Sequence, residues 1–162
     1  MDAIEFREIT LANLDEVISL EVEPEQTELV ADNLYSIAQA GLDPSGRCLA
    51  AYVDDKPVGF FFLKEQENGV RVYLCRFMID RRHQGRGLGR RIMMQLLEMI
   101  FSSPVVENVD LAVSRAKGGA DGFYEKCGFV PTGEAYRGGW RMVLPRKRYR
   151  TIAGSAEASE SD

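Results

Sequence analysis

The feature that most constrains the fold of this chain is a glycine-spaced, basic segment that joins an apolar run to an amphipathic one. Gly85, Gly87 and Gly89 stand at alternate positions within residues 81–91, which also contain five arginines. Because glycine has no Cβ, such a segment can turn tightly and bring several backbone N–H groups within reach of one oxyanion. The segment therefore predicts an anion-binding turn between a strand and a helix.

The residues that follow the glycines predict an amphipathic helix. Leu88, Ile92, Leu96 and Ile100 recur every four residues, so a helix that begins near Gly87 buries one face. Free N–H groups and the helix dipole at its N-terminus favour a phosphate or pyrophosphate there. The spacing matches neither the Rossmann fingerprint nor a P-loop, which ends in Gly-Lys-Ser/Thr. A turn with only a structural role is the alternative.

Two motifs resemble those of the GNAT superfamily of acetyl-coenzyme A dependent N-acyltransferases. Residues 84–89 read Gln-Gly-Arg-Gly-Leu-Gly and match its signature Gln/Arg-x-x-Gly-x-Gly/Ala. Residues 123–129 match its second motif, an aromatic residue followed by Tyr-x-Lys-x-Gly-Phe. The resemblance implies the fold class α/β (α+β), with a GNAT-like mixed, mostly antiparallel central sheet of about six to seven strands flanked by helices. It implies a single acetyltransferase domain over residues 1–146.

Hydrophobic periodicity and turn residues predict the order of the elements. Gly41 is expected to end the second helix. Strand alternation places Tyr73, Cys75, Phe77 and Ile79 on one face of their strand, which then carries no carboxylate. The predicted elements are a strand over residues 4–9, helices over 13–20 and 25–40, strands over 48–53, 58–63 and 70–79, a helix over 87–102, a strand over 109–113, a helix over 119–126 and two strands within 129–144.

Length and composition agree with one domain that folds without a membrane or a metal. The 162 residues are 45% hydrophobic and 28% charged, enough for a single sizeable core. No apolar run approaches the roughly twenty residues that cross a bilayer, and the N-terminus lacks an apolar signal stretch, so a cytoplasmic protein is expected. Three cysteines suit reduced thiols, and a single histidine without a C-x-x-C motif predicts no metal site.

The end of the chain differs in composition from the rest. Residues 147–150 are basic, and residues 154–162 are small, polar and acidic. Such a segment buries too little apolar surface to order itself, so we expect a flexible C-terminal tail over residues 147–162. The basic run is short and the net charge of the chain is −5, which argues against a nucleic-acid partner.

For coenzyme A, the resemblance implies a binding site at the glycine-spaced segment. The pantetheine arm would pair, like an extra strand, with the backbone of Phe77, Met78 and Ile79. Lys117 occupies a position where the superfamily commonly has an asparagine. This lysine can contact a phosphate as a point charge. The alternative is a solvated surface lysine. The pyrophosphate would be held by the amides of Gln84, Gly85, Arg86, Gly87, Leu88, Gly89 and Arg90, with Arg86 and Arg90 adding charge.

The chemistry that the resemblance implies is direct attack of a neutral amine on the acetyl thioester. Because an alkylamine has a pKa near 10.4, forming the free base at neutral pH costs roughly 4 kcal/mol, so a proton acceptor matters. Tyr124 matches the tyrosine that protonates the leaving thiolate, and the Ile79 N–H matches the oxyanion donor. Packing alone is the alternative for Tyr124. For the base, our hypothesis is a water chain that ends on Glu21, Glu23 or Asp80.

Acidic residues dominate the region where the superfamily binds its acceptor. Residues 1–35 contain ten acids and one base, a composition that attracts cations. Residues 21–28 and 33–38 also resemble bacterial spermine and spermidine acetyltransferases of the superfamily, so a polyamine is the favoured acceptor. A solvated acidic helix face is the alternative. The candidate substrate-binding residues are Glu21, Glu23, Glu25, Tyr35 and Asp80.

Three functions remain open at this point. The favoured one is an N-acetyltransferase for a primary amine of a small molecule. The alternatives are a peptide or protein N-acetyltransferase and a non-catalytic coenzyme A binding module. The reacting amine needs a drier place than the acids, for which Tyr35, Tyr136 and Trp140 are candidates. The resemblance also implies a homodimer formed through edge strands.

Overall fold

The computed structural model describes residues 2–26, 32–114 and 120–160. These residues form a seven-stranded sheet with strand order β1-β2-β3-β4-β5-β7-β6 and five α-helices, which confirms the predicted fold class. Every strand pair is antiparallel except β4–β5. The elements are β1 Ile4–Glu8, α1 Leu14–Ile18, α2 Asn33–Leu42, β2 Gly46–Val53, β3 Lys56–Gln66, β4 Arg71–Ile79, α3 Leu88–Phe101, β5 Asn108–Val113, α4 Asp121–Lys126, β6 Val130–Tyr136, β7 Gly139–Pro145 and α5 Arg146–Glu160.

The core lies on both faces of the central strand β3. Phe61 belongs to the apolar cluster beneath α3, whereas Phe60 and Phe62 belong to the cluster beneath α1 and α2. All three phenylalanines are essentially buried because successive side chains of a strand point to opposite faces and both faces are covered. Together with β2 and β4, this strand gives the cleft described below a rigid floor.

The helix predicted after the glycines is confirmed as α3. It begins at Leu88, directly after Gly87, and its apolar side is buried against the sheet. The periodicity identifies this helix because its buried side chains recur at the helical spacing. The buried residues are Ile92, Met93, Leu96, Leu97, Ile100 and Phe101.

The parallel strands β4 and β5 pair only at their first residues and then separate. The register joins Arg71–Tyr73 to residues 108–110, beyond which neither strand pairs with the other. Phe62 and Leu63 of β3 pair with Arg76 and Leu74, so Cys75 is an extra residue in β4 and forms a bulge that breaks the alternation of this strand. Cys75 therefore packs on the α2 side of the sheet, whereas Phe77 packs on the α3 side, so the expectation that they share a face was wrong.

The second predicted helix begins later than expected and does not end at Gly41. Asp32 caps the helix, since its side chain accepts a hydrogen bond from the Tyr35 N–H at 2.7 Å, and α2 runs through Gly41 to Leu42. Residues 24–26 form a short 3-10 turn, and residues 27–31 lie outside the described residues. The N-cap, not the apolar periodicity, fixes where this helix starts.

Most of the segment expected to be a flexible tail is helical. Tyr149 stacks on Phe101 with ring centroids 4.6 Å apart, and the Arg148 Nε donates to the Gly128 carbonyl at 2.6 Å. The Arg146 guanidinium donates to carbonyls at the end of α3 and in the connection to β5. These contacts anchor the start of α5, which composition alone did not reveal. Among the described helices, none has both the length and the apolar character to cross a membrane.

Candidate active site

A cleft of about 690 Å³ opens where β4 and β5 separate. The end of β4 forms one wall and the end of β5, with α4, forms the other. The glycine-spaced segment that leads into α3 closes one end. A split between parallel strands exposes backbone groups that a continuous sheet would pair, so the cleft offers hydrogen-bonding positions as well as apolar walls.

The backbone of β4 presents free positions to this cleft. The Asp80 N–H donates to the Val58 carbonyl of β3 at 2.8 Å. Because successive residues of a strand direct their N–H groups to opposite edges, the N–H of Ile79 and of Phe77 then face the cleft. The Ile79 carbonyl faces the same way, since it accepts a hydrogen bond from the Gln84 Nε2 at 2.9 Å. An extended ligand can therefore pair with β4 in place of a neighbouring strand.

The glycine-spaced segment forms an open cradle at the N-terminus of α3. Gly85 and Gly87 have φ of 78° and 73°, a left-handed conformation that favours glycine. A Cβ at either position would project into open space, with no atom within 4 Å. The first helical hydrogen bond of α3 runs from the Arg91 N–H to the Gly87 carbonyl. The backbone N–H groups that precede Arg91 at this N-terminus therefore have no helical acceptor and can meet an anion. The cradle fits the pyrophosphate of coenzyme A.

The cleft brings together most of the predicted coenzyme-binding residues. Arg86 is exposed and Leu88 packs against the core, so neither side chain borders the cleft. Lys117 lies outside the described residues. Those that line the cleft are Phe77, Met78, Ile79, Gln84, Gly85, Gly87, Gly89 and Arg90.

Tyr124 lines the cleft from α4. Its ring packs edge-on against Phe123 at 5.3 Å and Phe129 at 5.8 Å between centroids. Burial raises the pKa of this phenol well above its ordinary value, with smaller contributions from Cys127 and Tyr73. The hydroxyl therefore keeps its proton at neutral pH, as a proton donor to a thiolate must.

Cys75 is a cleft residue that the sequence reasoning missed. It lines the cleft from β4, where it is the bulged residue. Burial raises the pKa of this thiol to about 11, so it carries little thiolate at neutral pH. No local signal marks Cys75, because the bulge that places it depends on the pairing with β3.

Gln26 also lines the cleft and was not singled out in the sequence. Its Oε1 accepts hydrogen bonds from the Glu23 N–H at 3.1 Å and from the Gln84 Nε2 at 3.0 Å. The same Gln84 Nε2 donates to the Ile79 carbonyl. The two glutamines thus connect the segment after α1, the end of β4 and the glycine-spaced segment. Only the fold brings Gln26 and Gln84 together.

Two of the predicted substrate-binding acids, Glu21 and Glu23, lie outside the cleft lining. The Glu21 carboxylate is 3.6 Å from Arg81 and largely exposed, and Glu23 is exposed as well. The side chain of Glu25 is not among the described ones. Tyr35 is 56% exposed, and like Tyr136 and Trp140 it does not line the cleft.

Asp80 is buried and holds the end of β4 in place. Its Oδ1 accepts from the Glu21 N–H at 3.1 Å, and its Oδ2 accepts from the Arg82 Nε at 2.8 Å and the Arg82 N–H at 3.2 Å. Burial raises the pKa of this carboxyl, but these hydrogen bonds outweigh burial and leave the pKa below its ordinary value. A carboxylate held in this way is a poor proton acceptor, so we leave Asp80 out of the proton path.

Sequence comparisons agree with this geometry. A profile described as the acetyltransferase (GNAT) family matches residues 11–129. The spermine/spermidine N(1)-acetyltransferase of Bacillus subtilis (strain 168) is 24% identical over 149 residues, which cover 88% of this chain and 97% of that protein.

Solved structures of acetyltransferases share the fold. The aminoglycoside acetyltransferase AAC(6')-Ib in complex with coenzyme A has a TM-score of 0.75 at 19% identity, covering 93% of this chain and 99% of that chain. A chimera based on the spermidine N-acetyltransferase SpeG from Vibrio cholerae gives 0.71 at 20% identity, covering 91% and 98%. The PaiA N-acetyltransferase from Thermoplasma acidophilum, also with coenzyme A, gives 0.67 at 17% identity, covering 88% and 99%.

Proposed function

The chain belongs to the acetyltransferase (GNAT) family, and we propose that it transfers the acetyl group of acetyl-coenzyme A directly to a primary amine of a small molecule. The observation that carries the proposal is the cleft between β4 and β5, which has an anion cradle at one end and Tyr124 on its wall. The coenzyme enters as a co-substrate, which fits a cleft open to solvent.

Each part of the cleft has a separate task in this reaction. Acetyl-coenzyme A supplies a thioester whose carbonyl carbon accepts the attacking amine and whose sulfur leaves as thiolate. The amides of residues 84–90 hold the pyrophosphate, and the free edge of β4 aligns the pantetheine arm. The Ile79 N–H donates to the oxygen that gains charge during attack, and Tyr124 donates its proton to the departing sulfur.

The proton of the acceptor amine leaves through water in this proposal. Glu21 and Glu23 flank Val22, which lines the cleft. A water chain from the cleft to either carboxylate supplies the acceptor. Both acids are exposed to solvent, so water reaches them. Asp80 is excluded for the reason given above.

A polyamine is the finer acceptor class that the sequence favours. Its support is the function of the Bacillus subtilis relative and the many acids among residues 1–35. Among the described side chains of this region, no carboxylate lines the cleft. A peptide or protein acceptor and a non-catalytic coenzyme-binding role are the other candidates.

The test is thiol release from acetyl-coenzyme A by the purified full chain. The acceptors are spermine, spermidine, simple monoamines, amino acids and lysine-containing peptides. Saturable release with small amines supports the proposal, and a lead by spermine and spermidine supports the polyamine class. Release with peptides alone would replace the small-molecule acceptor. If calorimetry detects coenzyme A binding but no acceptor causes thiol release, the result would favour a non-catalytic binding module over an enzyme.

A further inference from the structure

A second, smaller pocket of about 210 Å³ lies on the α2 side of the sheet, beside the cleft. Among the described residues, three cationic side chains and no acidic side chain line it. This charge is unusual in a protein whose net charge is −5. The lining residues are Gln39, Phe62, Lys64, Tyr73, Cys75, Arg76 and Arg137.

Arg76 places a positive charge in the pocket, and no carboxylate in the described part of the chain pairs with it. Its Nη1 donates to the Cys75 carbonyl at 2.9 Å, and its Nη2 donates to the Gln39 Oε1 at 3.2 Å. Its Nε is buried and has no hydrogen-bond partner among the described residues. These neutral partners orient the guanidinium but leave its charge uncompensated, which is costly for a partly buried cation.

Arg137 reaches the pocket from the turn between β6 and β7. Its guanidinium carbon lies 4.3 Å from the centre of the Tyr73 ring and 5.4 Å from that of Tyr136. No acid within the described part of the chain forms an ion pair with it. Its φ is 48°, a left-handed conformation where glycine or asparagine is the common residue. A long cationic side chain thus occupies a position whose left-handed backbone conformation disfavours it.

The third cation does not add free charge. The Lys64 Nζ lies 2.9 Å from the Asp43 carboxylate, which pairs with it. The two guanidinium groups of Arg76 and Arg137 therefore supply the uncompensated charge. Guanidinium groups bind planar or tetrahedral oxyanions through forked hydrogen bonds, and aromatic faces hold them in place.

The pocket adjoins the cleft, since Cys75 and Arg76 line both. An acceptor that spans the two would place its amine in the cleft and a second group in the pocket. We propose that the pocket binds an oxyanion group, a carboxylate or a phosphate, of the acceptor amine. This inference rests on the proposed function and names a substrate class in which an amine and an anion share one small molecule. A purely cationic polyamine meets repulsion in this pocket.

The experiment compares acceptors that differ only in the anion. The carboxylate series is β-alanine, 4-aminobutyrate and 6-aminohexanoate, each against the alkylamine of the same chain length. The phosphate pair is O-phosphoethanolamine against ethanolamine. For at least one pair, kcat/KM of the acceptor with the anionic group should exceed that of the acceptor without it about tenfold, as expected for one charge-assisted hydrogen bond. The carboxylate and phosphate arms identify which oxyanion the pocket prefers.

The variant Arg137→Asn tests the pocket without endangering the fold. Asparagine suits the left-handed turn, so the melting temperature should not fall, while the preference for the anionic acceptor should drop to near one. Arg76→Gln, which keeps an amide donor toward Gln39, should reduce the preference as well. Arg150→Asn on α5 removes the same charge far from the pocket and should leave the preference unchanged.

The outcomes separate this inference from the proposed function. The enzyme could acetylate amines with a kcat/KM for the anionic acceptor that is no higher than that of its partner in every pair. This result would overturn the inference and leave the proposed function standing. A rise in melting temperature with an anionic acceptor, lost in Arg137→Asn, would support the pocket even without thiol release and would count against the enzyme. The absence of both a thermal shift and a rate preference would overturn the inference.

Discussion

Tyr124 is the residue whose substitution tests the chemistry most directly. Tyr124→Phe should lower kcat at least tenfold and leave the Kd for acetyl-coenzyme A nearly unchanged, because the ring keeps its contacts with Phe123 and Phe129 and only the proton donor is lost. Thiol-release kinetics give kcat, and calorimetry gives the Kd.

Tyr149→Phe is the matched control for that substitution. Tyr149 stacks on Phe101 beneath α5 and does not line the cleft, so removal of its hydroxyl should leave both constants unchanged. An unchanged kcat in Tyr124→Phe would remove the acid role and leave Tyr124 as a packing residue. An equal loss in both variants would point to a general effect on folding.

The raised pKa of Tyr124 predicts the shape of the pH profile. Tyr124 acts in its protonated form, and burial raises its pKa, so the loss of activity from its ionisation moves to higher pH. Activity should rise with pH as the acceptor amine loses its proton and should not fall again below about pH 10, the ordinary value for tyrosine. A decline below that pH in the wild type, absent in Tyr124→Phe, would show that the pKa of Tyr124 is not raised, although Tyr124 would still act in its protonated form.

At the scale of elements, the turn before α3 and the end of α2 use glycine for different reasons. Gly87→Ala places a side chain at φ 73°, which should destabilise the fold by about 1–2 kcal/mol and weaken coenzyme A binding as the amides shift. Gly41 lies within a helix in open space, so Gly41→Ala should stabilise by about 0.5 kcal/mol. Thermal unfolding and calorimetry measure both effects. Unchanged binding in Gly87→Ala would contradict the cradle.

The elements that carry the cradle could be predicted because their signals are local. The period of α3 and the glycines before it lie in one short stretch of sequence, and both motifs of the resemblance fall inside or beside the cleft. The start of α5 could not be predicted, since Arg146 and Tyr149 are held by groups at the end of α3, far away in sequence. The composition of a segment indicates how much apolar surface that segment contains, but not which distant residues it contacts in the fold.

The acceptor side of the site was the least predictable part. Acidic residues near the start of the chain suggested a cationic acceptor, yet Glu21 pairs with Arg81 and lies outside the cleft lining. Arg76 and Arg137, which line the small pocket, come from a bulged strand and a distant turn. Their meeting depends on strand register, and register is not visible in either segment alone.

At the scale of the whole molecule, the split sheet explains how a stable core and an open site coexist. The cluster beneath α3 and the cluster beneath α1 and α2 hold β3 and β4 from both faces, so the cleft edge of β4 stays rigid without a neighbouring strand. The homodimer and the cytoplasmic location expected from the sequence stay predictions. Sedimentation of the purified chain measures the first of these.

The stability of the whole protein should fall in acid, and Asp80 is a main reason. The pKa of Asp80 in the folded protein lies below its ordinary value of 3.8, and that of Asp43 is lowered to about 2, first by hydrogen bonds from Ser45 and then by Lys64. A carboxyl with a lowered pKa stabilises the fold fully above its unfolded pKa and loses this contribution as pH falls through its folded pKa. The free energy of unfolding should therefore drop between about pH 4 and pH 2.

Asp80→Asn isolates the buried part of this effect. The amide replaces one accepting oxygen by a donor that faces the N–H groups of Glu21 and Arg82, so the variant should lose about 1–3 kcal/mol at pH 7. It should also show a shallower decline in acid, since one of the titrating carboxyls is gone. Asp15→Asn removes an exposed carboxylate on α1 and serves as the control, with little change expected at pH 7. Urea unfolding at a series of pH values measures both. If Asp80→Asn matched the wild type in stability at pH 7, Asp80 would not hold the end of β4, and its carboxylate would return as a candidate base.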